Sequence, residues 1–124
     1  MDTEEAVRSL QAAELITEAR WHAFDLLLVE VLVALEARGV LSRREIMQAL
    51  VRAETRANLP EGDEERGFVE EAAGSYIELV TGFAVDRLGA APELAVLKRD
   101  IAEWEKAGGV GPHPCEPTRR RRRP

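Results

Sequence analysis

The run Leu26 to Leu35, LLLVEVLVAL, holds a single charged residue, Glu30, in ten positions. A helix apolar around most of its circumference must be enclosed, either by other helices of its own chain or by a second subunit. Read from the sequence, the stretch from Trp21 to Glu54 therefore organises the fold. Gly39 offers a left-handed position after this helix. Ser42 and Glu45 stand at the spacing where the hydroxyl takes the Glu45 N–H and the carboxylate returns to the Ser42 N–H. Leu41 and Ile46 flank that cap as a staple, so a helical hairpin is expected across it.

Trp21, Phe24, Leu28, Val31 and Leu35 alternate by three and four, the pattern of a packed seam. Leu27, Val29 and Leu32 widen it beyond what one neighbouring helix covers. These five seam residues are the expected interface of a homodimer. Upstream, residues 2 to 19 read as a first helix, opened by Asp2 and Glu5 in capping-box spacing and carrying Val7, Leu10, Ala13, Leu15 and Ile16. No Gly or Pro separates it from the next helix, so one long helix and two kinked ones both fit.

The next helix, about residues 43–57, points Ile46, Met47, Leu50, Val51 and Ala53 inward and sets Arg44, Gln48, Arg52 and Arg56 on a basic outer stripe. NLPEG at 58–62 interrupts the chain between two hairpins. Asp63 then caps a helix running to about Leu88, with Phe68, Ala72, Tyr76, Leu79, Phe83 and Leu88 as its buried face and Gly89 as its stop. Pro92 suits the first turn of a last helix with the stripe Leu94, Leu97, Ile101 and Trp104, ended by Gly108 and Gly109. From Val110 the chain holds four prolines and few apolar side chains, the composition of a disordered segment. The expected architecture is an all-α, single-domain bundle of four to five helices built from two antiparallel helical hairpins, residues 1–109, followed by a disordered Pro/Arg-rich tail, residues 110–124.

A chain of 124 residues buries about two thirds of its unfolded surface, enough for a core without metal or disulfide. The lone Cys115 has no partner for an internal bridge, and no basic region followed by an apolar one opens the chain, so a cytoplasmic location is expected. The apolar run falls short of the roughly 20 residues of a membrane span. Net charge is −6, yet Arg119, Arg120, Arg121, Arg122 and Arg123 supply five of the 17 basic residues. Without them 12 basic residues face 23 acidic ones, and such a body repels nucleic acid and anionic membranes at long range.

Chemistry-bearing residues are sparse. Glu14, Glu18, His22 and Asp25 form a column on one side of a continuous first helix, but a di-metal bundle needs a Glu-x-x-His pair repeated on another helix. Ser42 is committed to a cap, Ser9 and Ser75 lack a neighbouring base, and no glycine-rich phosphate loop occurs. His113 and Cys115 fall short of a zinc ligand set. No cofactor, metal or enzymatic activity is expected. The segment GVLSRREIMQAL resembles the first helix of a helix-turn-helix reader over about a dozen residues. Such a reader then needs a tight turn, whereas VRAETRA continues the helix.

By elimination the expectation is a small non-enzymatic helical interaction or regulatory module that binds another protein, through Glu64, Glu65, Glu70 and Glu71, as a homodimer. The alternative is a nucleic-acid accessory protein that binds polyanions through the arginine tail. The two separate cleanly. Charge reversal of the four glutamates abolishes partner capture under the first reading, and a chain ending at Thr118 loses binding to nucleic acid at low salt under the second.

Overall fold

The structure, a computed structural model, describes residues 2–57 and 64–117, with side chains described outside 64–70. The break at 58–62, the Asp63 cap and the arginine run lie outside the described residues. Among those described there are four helices and no strand: α1 Thr3–Ala37, α2 Arg43–Ala57, α3 Glu64–Leu88 and α4 Ala91–Lys106. The two N-terminal segments that the sequence left open are one continuous helix. Nothing between Ala19 and Trp21 breaks the backbone ladder, so the upper count of five reduces to four.

Helix ends follow their local chemistry. Asp2 caps α1 by accepting the Glu4 N–H. At the other end Gly39 has φ +70°, the Val40 N–H donates to the Leu35 carbonyl and the Gly39 N–H donates to the Glu36 carbonyl, each at 2.9 Å, which closes a Schellman turn. The Ser42–Glu45 capping box forms in both directions at 3.1 Å. Gly89 at φ +63° ends α3, with Ala90 donating to the Val85 carbonyl.

The core corrects the reading of the apolar run as the keystone. Its fully buried large side chains are Ile46 and Met47 of α2 and Leu97 of α4, joined by Leu50, Val80, Ala84, Leu88 and Ala90, while α1 contributes only Val29 among buried residues. Each large aliphatic side chain so enclosed contributes about 1.5–3 kcal/mol. The central element is α3, which packs against α1, α2 and α4, and α1 packs mainly on α3. His22 meets the Phe83 ring at 6.0 Å and Glu30 pairs with Arg87, so the contacts advance together and the two helices run in the same sense. Glu30, the one charge in the apolar run, takes two hydrogen bonds from Arg87, at 2.8 and 3.3 Å.

Three further expectations change. On α3, Tyr76 and Leu79 face outward, and the buried positions are Gly74, Val80, Thr81, Ala84 and Leu88; Phe68 has no described side chain. Two stripes of alternating three and four spacing run along this helix, and the one holding Ile77, Val80 and Ala84 meets the other helices. On α2, Ala53 is exposed, whereas Gln48, expected on the outer stripe, is buried. Within 110–117, expected to be disordered, the chain is tied to the helices: Gln48 Nε2 donates to the Pro114 carbonyl at 2.7 Å, Arg52 donates to the Cys115 carbonyl, and Cys115 is in the core.

Candidate interaction surface

Because α3 takes only one side of α1, the rest of that helix is left to solvent. From Asp2 to Phe24 every side chain but Ala6 is exposed, including Leu10 at 66% and Trp21 at 61%. In the apolar run itself Leu27 is 66% exposed, Val31 54% and Leu28 37%. The described residues therefore leave much of the apolar run exposed.

Where α1 meets the body, its exposed face continues into a groove of about 490 Å³. Among the described residues it is lined by Trp21, Phe24 and Leu28 of α1, Leu50 and Ala53 of α2, and Tyr76 and Ile77 of α3, with Asp25 the one charged residue of that lining. Trp21 and Phe24 stand edge to face with ring centres 6.3 Å apart. A groove so lined admits apolar side chains and offers almost nothing to orient a polar substrate. Four of the five expected interface residues, Trp21, Phe24, Leu28 and Val31, are exposed on this side, while Leu35 is half-buried.

Of the other candidates, only Asp25 is among the described residues that line the groove. Glu71 is exposed, and Glu64, Glu65 and Glu70 have no described side chains. Glu14, Glu18, His22 and Asp25 share the continuous α1, but among the described residues no group of three His, Cys, Asp or Glu side chains converges as metal ligands do. The basic stripe of α2 is largely engaged: Arg44 pairs with Asp100 at 2.9 Å and Arg52 holds the Cys115 carbonyl. As α2 continues unbroken to Ala57, it makes no tight turn after Leu50 of the kind a helix-turn-helix reader needs.

Sequence reasoning missed the clasp that seats the C-terminal segment. Trp104 donates its Nε1–H to the Gly111 carbonyl at 3.3 Å, and its ring lies 4.7 Å from that of His113. His113 Nδ1 accepts the Cys115 N–H at 3.0 Å. Burial pushes the Cys115 thiol above its ordinary range, an effect that the nearby Arg52 and Arg44 partly oppose. The available signal was the cluster Gly108, Gly109 and Gly111 after a tryptophan, all three at positive φ. Among the described residues no helix is long and apolar enough to cross a membrane. Compared with protein-family models, curated proteins and solved structures, the chain matches none.

Proposed function

We propose that this chain is a non-enzymatic helical interaction module that acts by binding protein, first of all a second copy of itself. The observation that carries the reading is the bare apolar face of α1 together with the groove it shares with α2 and α3. An apolar stripe this long on a projecting helix is stable in water only when another surface covers it. Light scattering across a dilution series tests the reading. The unmodified chain is expected at twice its 13.8 kDa mass, and Leu28→Asp at the monomer mass with its helical circular dichroism retained. A chain that stays monomeric at high concentration removes the homodimer from the account. Binding of a further protein through Glu64, Glu65, Glu70 and Glu71 belongs to the same proposal, and reversal of their charges is its test.

One observation favours the second reading, a polyanion-binding accessory protein. Gln48 and Arg52 hold Pro114 and Cys115, so the chain leaves α2 for Arg119 to Arg123 from a point close to Arg52 and Arg56, which line a cleft with His113 and Cys115. Basic residues at the root would add to the pull of the run. Arg56→Glu is then expected to weaken binding to a mixed-sequence nucleic-acid probe and to flatten its salt dependence. Unchanged binding would exclude α2 from that surface.

A further inference from the structure

Since α1 is unbroken from Thr3 to Ala37, the register of its seam can be carried past the point where the apolar residues thin out. Positions 7, 10, 14, 17, 21, 24, 28, 31 and 35 alternate by three and four without a slip, and all but Glu14 and Thr17 are apolar. This is a continuous a/d seam along almost the whole helix. Its N-terminal half carries no buried side chain, and among the described residues its C-terminal half borders an apolar groove. The chain thus carries a bare apolar helix and an apolar groove on one rigid element.

We infer that two copies pair α1 against α1 in opposite directions, so that the N-terminal half of each helix fills the groove of the other. This rests on the homodimer reading above and specifies its geometry. In a parallel pair every seam residue meets its own counterpart. Glu14 then faces Glu14, a like-charge contact within the seam, and Trp21 faces Trp21 while Val7 faces Val7, so bulk concentrates in one layer and is missing from another. An antiparallel pair centred between Leu15 and Ile16 relieves both. Val7 lies opposite Phe24 and Leu10 opposite Trp21, small against large, and the two polar positions, Glu14 and Thr17, meet each other in the middle. The same register brings Val7 and Leu10 to the groove that Trp21 and Phe24 share with Tyr76, itself 65% exposed in the single chain.

The bare area approaches that of a standard interface. Val7, Leu10, Trp21, Phe24, Leu28 and Tyr76 together leave on the order of 700 Å² of side-chain surface bare, against about 800 Å² per partner in a stable interface. Two centres offset along helices that rise about 1.5 Å per residue set the bodies about 40 Å apart, one at each end of a shared two-helix rod.

Spin labels test the direction. Glu5 lies on the outer side of α1, away from the seam, and Glu5→Cys can be labelled selectively because Cys115 is buried; the same variant in a Cys115→Ala background is the control. The antiparallel pair places the two labels about 35 Å or more apart, and a parallel pair about 20 Å. X-ray scattering from the unmodified protein is the companion measurement, with two separated bodies expected. A dimer with the short label distance and side-by-side bodies overturns the antiparallel pairing and leaves the homodimer standing. A monomer with no spin coupling overturns both.

Discussion

Gln48 shows how one buried polar side chain can fix a segment whose composition suggests no structure. Its Nε2 donates to the Pro114 carbonyl from a side chain that is nearly fully enclosed, so Gln48→Ala leaves that carbonyl without its donor. A loss of about 1–3 kcal/mol is expected, read as a lower urea midpoint. Cys115 lies on the other side of the same contact. Its thiol is protonated to higher pH in the folded chain than in the unfolded one, because burial disfavours the thiolate. The folded state is therefore favoured fully below the ordinary thiol range, and that contribution is lost as pH rises through the folded value. The urea midpoint should therefore fall as pH rises through and above the ordinary thiol range. Cys115→Ala should flatten the fall, and a slope identical in the variant would assign it to other groups. At neutral pH a thiol-reactive disulfide reagent should modify Cys115 slowly, and quickly once urea unfolds the chain.

Four of the helix ends were legible from sequence because each is decided by a few adjacent residues. Gly39, the Ser42–Glu45 box, Gly89 and Pro92 all sit where local chemistry puts them. Helix faces were less legible. On α3 two stripes of equal quality compete, and only packing against α1 and α2 selects Val80 and Ala84 over Tyr76 and Leu79. The apolar face of α1 was expected to be enclosed, and the described residues leave much of it exposed. Its lack of cover within the chain was invisible, since nothing in a sequence says how far a neighbouring helix reaches. Two glycines separate the contributions at an element's end. Gly39 and Gly109 share φ +70°, yet a Cβ at Gly39 meets nothing, whereas one at Gly109 lies 3.2 Å from the Trp104 ring. Gly39→Ala should lose only the left-handed backbone preference, about 1–2 kcal/mol. Gly109→Ala should lose more and should also alter Trp104 fluorescence, because the ring must shift to admit the methyl group. Equal losses with unchanged fluorescence would mean that Trp104 does not press on Gly109.

At the scale of the whole molecule, the distribution of burial separates stability from assembly. Ile46, Met47 and Leu97 hold the body together, and the N-terminal half of α1 adds no buried residue to it. A substitution on that half has little to disturb in a single chain, yet in a pair it reaches the core of the interface. Leu10→Asp makes the distinction sharply, since Leu10 is 66% exposed and sits about three turns from the ring contact that His22 makes with Phe83. If two copies share α1, folding and association are linked, and the melting temperature of the unmodified chain must rise with protein concentration. For Leu10→Asp the melting temperature should be independent of concentration, and at the lowest concentrations it should converge on that of the unmodified chain. A melting temperature that is independent of concentration in both proteins would mean that the body alone determines stability. The same low temperature for Leu10→Asp at every concentration, below the dilute limit of the unmodified chain, would mean that Leu10 contributes to the fold of the monomer.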